Sequence, residues 1–337
     1  VTPPPVVWFV VPKGIDDPAR VSGGNVYDRE VRDGLPGRGW TVSVVECADG
    51  AGVASALRSA PDATLVLIDG LAAGWAAAEV EAAATRLRIV VLAHMLVAAF
   101  PDATEPAIEA ERRMLRHAHR VIVTGRWTGE EVARRGLADV DRITVAAPGA
   151  RAESTAQPEH DADLLCVGVI APHKGQDLLL DALDRVPTKD WRCTIAGSTD
   201  SYREFAARVV QRAAAFDGRV HLPGVLVGEA LADAYRRSAL LVAPSRVESA
   251  GMAIADARAR GLPVVGTAVG GIPDTVVGGG ALLVLPDDPD ALANALTSWM
   301  TDPALRTRLR AEALRAREHL PTWDDTVSTI ADVLEAA

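Results

Sequence analysis

The chain has 337 residues, a length that suits two domains better than one, and its 49% hydrophobic content suffices to fill two cores. A formal net charge of −10 argues against a nucleic-acid partner and makes a polyanionic acceptor a poor fit. Cys47, Cys166 and Cys193 lack metal-ligand spacing, and no run approaches the roughly 18 consecutive apolar residues of a membrane span, so the reading is of a soluble, cytoplasmic chain with buried thiols.

In chain order, the opening VTPPPVVWFVVPKG has no basic residue ahead of its short apolar run. It therefore reads as a first strand, Val6 to Val11, rather than as an export signal. A helix is expected over Tyr27 to Leu35, strands over Thr41 to Val45 and Thr64 to Ile68, and an alanine-rich helix around Trp75 to Leu87. A strand over Arg88 to Ala93 follows, then a helix from Glu105 to His117, a strand from Arg120 to Thr124, a helix from Thr128 to Arg135 and a strand from Arg142 to Ala146. Such alternation predicts a doubly wound parallel sheet. Pro148 to Asp163 breaks the period with Pro, Gly, Ser and charge, and reads as a linker.

A second alternating series starts at Leu164. Strands are expected in LLCVGVI, Trp191 to Ala196, Val220 to Leu222, Leu240 to Ala243, Pro263 to Gly266 and Ala281 to Val284. Helices are expected over Gly175 to Arg185, Tyr202 to Phe216, Glu229 to Arg236, Asp290 to Met300, Pro303 to His319 and Trp323 to Ala337. The domain reading is 1–150, 151–319, and a last segment 320–337.

The stretch APSRVESAGMAIADARARGLPVV, Ala243 to Val265, carries the strongest chemical signal. A buried strand stops at Pro244, a loop carries Glu248, Ser249 reads as an N-cap, and a helix runs to Gly261. The helix N-terminus then lies at the carboxyl end of the strand, the ligand side of an open α/β sheet. Free amides of Gly251, Met252 and Ala253 suit a phosphate there. Glu248 and Asp256, eight positions apart, would be repelled by that phosphate unless they accept hydrogen bonds from sugar and ribose hydroxyls.

This stretch resembles the nucleotide-sugar signature of retaining GT-B glycosyltransferases of family 4, in which a Pro-Ser-x-x-Glu loop precedes a second acid. Here the match is Pro244, Ser245, Glu248 and Asp256, with Asp standing where the family has Glu. Lys174, in GVIAPHKG, resembles the lysine that neutralises the leaving diphosphate, whereas Val169 occupies the family's arginine position and His173 stands nearby. Gly23, Gly24 and Asn25 resemble the family's Gly-Gly loop facing the diphosphate and acceptor. His94, at the end of VVLAH, resembles the histidine placed over the donor sugar. Gly270, Gly271, Ile272, Pro273 and Asp274 resemble the family's Gly-Gly-Ile-Pro-Glu turn, read as a structural element without a catalytic role.

The resemblance implies the GT-B fold: two Rossmann-like domains facing across a cleft, the first binding acceptor, the second binding nucleotide sugar, and a last helix crossing back to the first, with Trp323 at the crossing. It implies retaining, metal-independent sugar transfer, with His94, Lys174 and Glu248 catalytic; the first domain's loops carry no lipid-facing amphipathic patch, so a small soluble acceptor is expected. Donor contacts fall to Gly23, Gly24, Asn25, Lys174, Gly197, Val225, Glu248, Gly251, Met252, Ala253 and Asp256. The expected co-substrate is a UDP-sugar, with GDP- or ADP-sugars as alternatives, and no other cofactor. Asp139 to Asp141 and Asp161 to Asp163 read as solvated loops rather than metal sites. A catalytically silent nucleotide-sugar-binding subunit, a sugar-nucleotide epimerase and a two-domain solute-binding protein are the competing readings.

Overall fold

A computed structural model describes residues 3–18, 22–151 and 153–337. The chain divides into two compact units, one of residues 1–149 with 321–337 and one of residues 150–320.

The first unit is built on β1 (Val6–Pro12), β2 (Thr41–Cys47), β3 (Leu65–Asp69), β4 (Arg88–Ala93), β5 (Arg120–Val123) and β6 (Ile143–Val145). They form one parallel sheet in the order β2-β1-β3-β4-β5-β6. Its helices are α1 (Gly23–Gly34), α2 (Gly50–Ser59), α3 (Gly70–Trp75), α4 (Ala77–Ala83), α5 (Glu105–His117) and α6 (Arg126–Arg134). The period of two along β1 decides which face each side chain fills. Val7, Phe9 and Val11 join the core under α1, whereas Val10 joins the core under α2 to α6.

The second unit is built on β7 (Asp163–Val167), β8 (Arg192–Ala196), β9 (Val220–Gly224), β10 (Leu240–Ala243), β11 (Val264–Thr267) and β12 (Ala281–Val284). These are parallel in the order β12-β11-β10-β7-β8-β9. Helices α7 (Gln176–Arg185), α8 (Arg203–Ala213), α12 (Pro289–Thr301) and α13 (Pro303–Arg317) pack on one face. Helices α9 (Gly228–Arg237), α10 (Met252–Ala259) and α11 (Ile272–Thr275) pack on the other. The last helix, α14 (Trp323–Ala336), belongs to the first unit, where Val327, Ile330, Ala331 and Leu334 complete the core under α1. A capping box between Thr322 and Asp325 starts it.

Three local expectations are corrected. Helix α1 starts at Gly23, four residues before Tyr27, because Ser22 caps it by accepting from the Asn25 amide at 3.1 Å. The alanine-rich segment is two helices broken at Ala76, and the first is capped by Asp69, whose carboxylate accepts from the Ala72 amide at 3.0 Å. Helix α2, with Gly50 and Gly52 in its first turn, has no counterpart among the expected elements. Among the described residues no helix is long and apolar enough to cross a membrane.

Candidate functional site

In an open parallel sheet the order of strands reverses at one point, and the loops leaving the carboxyl ends of the two strands there diverge to leave a crevice. In the second unit that point lies between β7 and β10. The loop after β7 carries Lys174, and the loop after β10 carries Glu248.

The two side chains meet: the Lys174 ammonium donates to a Glu248 carboxylate oxygen at 2.6 Å. The other Glu248 oxygen accepts from the Gly251 amide at 3.2 Å. Burial opposes ionisation of Glu248, but the Lys174 cation and these donors hold its carboxyl below the usual range. Arg246 ties the two loops together. It donates to the Pro172 carbonyl at 2.7 Å and forks onto Asp177 at 2.8 and 3.0 Å, while its own amide donates to the His173 carbonyl at 2.7 Å.

Two glycines permit this packing. Gly175, at φ +69°, lies so close to the Pro244 carbonyl oxygen that a Cβ would overlap it. Gly270, at φ +53°, is pressed in the same way against the Glu248 carbonyl oxygen. The Gly270-Gly271 turn thus supports the Glu248 loop from below, with the Gly271 amide donating to that carbonyl at 2.9 Å.

The start of α10 differs from the expectation. Ser249 is buried and is not the N-cap; Gly251 takes that place in the left-handed conformation, at φ +64°. Its amide is not free for a phosphate, because Glu248 already accepts from it. Met252 and Ala253 occupy the first turn, where a helix supplies no carbonyl to its own amides. Asp256 lies one turn further along the Met252 face and is half-buried. Burial raises its carboxyl to about 6, only partly countered by Arg260. Gly197 and Val225 follow β8 and β9 at the same carboxyl end, and the Gly197 amide donates to the Gly224 carbonyl at 2.9 Å. At Val169 the backbone carbonyl accepts from the buried Gln176 amide at 2.9 Å. The His173 ring meets the Tyr202 ring edge-on, with centroids 5.9 Å apart.

In the first unit the reversal lies between β1 and β3, and a second constellation sits there. His94, just past β4, brings Nε2 within 2.8 Å of an Asp28 oxygen and 3.3 Å of an Asp69 oxygen. Asp28 comes from the second turn of α1 and Asp69 from the last position of β3; both are buried. Gly24 packs over the ring, where a Cβ would stand 3.4 Å from Cδ2. Tyr27 meets the ring edge-on at 5.1 Å, and its hydroxyl donates to the Ala146 carbonyl at 2.7 Å. Trp323 in turn packs edge-on against Tyr27 at 5.4 Å. One side-chain oxygen or nitrogen from each of Asp28, Asp69 and His94 lies within 4.8 Å of the others. The 2.8 Å approach of Nε2 to Asp28 is that of an N–H···O bond, and Asp69 stands at ion-pair distance from the same nitrogen.

Asp28, Asp69 and Arg246 are the residues that sequence reasoning passed over. Asp69 had a signal, an acid ending the apolar run LVLID at the ligand end of a strand. Elsewhere, Asp139 pairs with Arg142 and Asp161 with Arg306 and Arg310. All three cysteines are free and buried. A hollow of about 310 Å³ lined by Val6, Trp8, Thr64, Leu65 and Arg88 opens at the amino ends of β1, β3 and β4, the opposite end of the sheet from His94.

The family profile described as glycosyl transferases group 1 matches residues 161–302. The D-inositol 3-phosphate glycosyltransferase of Xylanimonas cellulosilytica is 30% identical over 260 residues, which cover 70% of this chain and 62% of that protein. The chain therefore spans less than two thirds of that relative's length. Among solved structures, sucrose-phosphate synthase from Thermosynechococcus elongatus superposes with a TM-score of 0.83 at 21% identity, covering 98% of both chains. Anabaena Alr3699/HepE, in complex with UDP-glucose, superposes with a TM-score of 0.77 at 17% identity, covering 98% of this chain and 100% of that one.

Proposed function

We infer that this chain, which has the GT-B fold, is a group 1 glycosyltransferase that moves a sugar from a nucleotide-sugar donor to a small acceptor. The observation that carries the reading is the 2.6 Å pair of Lys174 and Glu248 at the strand-order reversal of the second unit, beside the first turn of α10. A cation and a carboxylate held together there answer the two needs of a nucleotide sugar, a diphosphate to be neutralised and hydroxyls to be oriented.

In this scheme the donor draws the pair apart. Lys174, with the amides of Met252 and Ala253, stabilises the charge that grows on the departing diphosphate. Glu248 accepts from sugar hydroxyls, and Asp256 accepts from the ribose. Gly197 and Val225 border the base, and the Gly251 amide keeps Glu248 in place instead of contacting phosphate. In the first unit Gly23, Gly24 and Asn25 open α1 toward the ligands, and His94 donates from the ring nitrogen that the two acids do not occupy. No carboxylate acts as a covalent nucleophile: the leaving phosphate takes the acceptor's proton, and configuration is retained without a metal. A UDP-sugar is the proposed donor, supported by the fold shared with a UDP-glucose complex. The proposed setting is the cytoplasm.

Val169 supports one second reading. Without the arginine of the resembling family, the chain would bind donor and neither transfer nor hydrolyse it. A thermal-shift panel of nucleoside diphosphates and nucleotide sugars, followed by a radiolabelled transfer assay with small polyol and sugar acceptors, separates the two. Binding raises the melting temperature by mass action in either case. Transfer of label supports the enzyme; binding without transfer favours the silent subunit; no shift with any nucleotide overturns both.

A further inference from the structure

The Asp28, Asp69 and His94 cluster has a property that sugar-transfer chemistry does not by itself require. Two buried carboxylates converge on one imidazole nitrogen. Asp28 is 1% exposed and Asp69 4%, and one Asp28 oxygen has no hydrogen-bond partner although it is buried. Two carboxylates facing each other in a dry site repel, and the arrangement is stable when a positive charge lies between them or when one of them takes up a proton. The groups packed around the ring are Asp28 and Tyr27 from α1 and Asp69 from the end of β3. Arg29 is the remaining charge that acts on Asp28, and its guanidinium is turned to the Ile15 carbonyl.

We infer that Asp28 is a positioning residue that, with Asp69, keeps His94 as an imidazolium whose Nδ1–H is presented to the ligand as a fixed donor. His94 on this account never serves as a general base. It rests on the reading of His94 as a ligand-facing residue and adds its charge state and the partner that sets it. The ring is anchored through Nε2, so only Nδ1–H remains to meet an oxygen of donor or acceptor. Burial by itself disfavours the charged ring, but the paired acids outweigh it and hold His94 up at about 10. Burial raises Asp28 as well, which fits an acid whose ionised form depends on the ring beside it.

The test is the ring titration of His94 in the full chain, followed by nitrogen-15 chemical shifts of labelled histidine and assigned by the resonance lost in His94→Gln. In the wild type the ring stays doubly protonated from about pH 6 to about pH 8.5, where an ordinary histidine loses its charge. Asp28→Asn, which keeps the shape of the side chain, brings the titration into that window. Above the new midpoint transfer then falls about tenfold per pH unit, as the charged fraction does. A wild-type ring already neutral at pH 7.5 overturns the inference, and that measurement needs no variant to fold. An Asp28→Asn ring that still stays charged across the window overturns it too. So does a melting temperature raised by added Zn²⁺ in the wild type and not in Asp28→Asn, since the cluster is then a metal site. Failure of the transferase reading looks different: the ring titrates as described while no nucleotide sugar binds.

Discussion

Replacing Lys174 by Met keeps the length and apolar stem of the side chain and deletes only the charge. The ammonium lies 2.6 Å from Glu248, with side-chain exposures of 22% and 13%, so the pair is shielded without being dry. Glu248 would then keep the Gly251 amide, a weak contact with the Ser245 hydroxyl at 3.5 Å and the nearby His173. Leaving a fully buried charge unpaired costs about 3–5 kcal/mol. The residual amide and partial solvent access reduce this to about 1–3 kcal/mol, the range for an unsatisfied group. The sign with pH follows from the depressed Glu248 carboxyl: its stabilisation is complete above the ordinary glutamate range and is lost as pH falls through the lower folded value. Lys174→Met removes that acid-side slope. Its effect on transfer is separate, about 2.7–4 kcal/mol in the barrier, the loss of one donor to developing negative charge. The double variant Lys174→Met/Glu248→Gln then regains stability in urea titration and does not regain transfer. Turnover of Lys174→Met within about threefold of wild type under folded conditions would refute the diphosphate role. Equal stability of the single and double variants would refute the energetics of the pair.

Asp256→Asn is predicted to move stability and affinity in opposite directions. Because the folded carboxyl is raised to about 6, the wild type loses stability as pH rises from about 4 through that value. The Asn variant is therefore the more stable at pH 7 by about 1–2 kcal/mol, allowing for the residue's partial exposure. It binds nucleoside diphosphate more weakly by about 1–2 kcal/mol, the loss of a charge-assisted hydrogen bond, as calorimetry reads directly. Gly270→Ala places a methyl group on the Glu248 carbonyl at a positive φ, and is expected to cost about 2 kcal/mol or more in urea unfolding and to lower donor affinity with it. Treatment with EDTA is expected to leave most of the transfer rate, and a rate abolished by EDTA and restored by Mn²⁺ would contradict the mechanism.

Much of this arrangement is legible in the sequence, for reasons that differ by residue. Helix Glu105–His117 has both signals in the sequence, Pro106 in its first turn and Arg116 and His117 in its last, and its bounds match. The Pro244 to Asp256 stretch was readable because loop, acid and helix start are consecutive, so local spacing fixes their order. The Ser249 cap failed because the competition is tertiary: the Gly270-Gly271 turn packs beneath the loop and the left-handed Gly251 takes over the helix start. The pairing of Lys174 with Glu248 spans 74 positions, and that of His94 with Asp28 spans 66. Nothing local records such contacts. They follow only from strand order, which places β7 beside β10 and β1 beside β3. Helix α2 was invisible because its first turn holds two poor helix formers, Gly50 and Gly52, and its apolar residues are mostly small.

The position of α14 bears on how the chain reaches this structure during synthesis. Val327, Ile330, Ala331 and Leu334 fill the sheet face beneath α1, yet the whole of residues 150–320 lies between them and the strands they cover. Domains generally close in the order in which they are made. Here the second unit is continuous in sequence and its core is complete at α13, whereas the first still exposes Val7, Phe9, Tyr27 and Leu67 when it leaves the ribosome. The earlier unit is therefore the later to finish, and through that interval its apolar face is the surface a chaperone would hold.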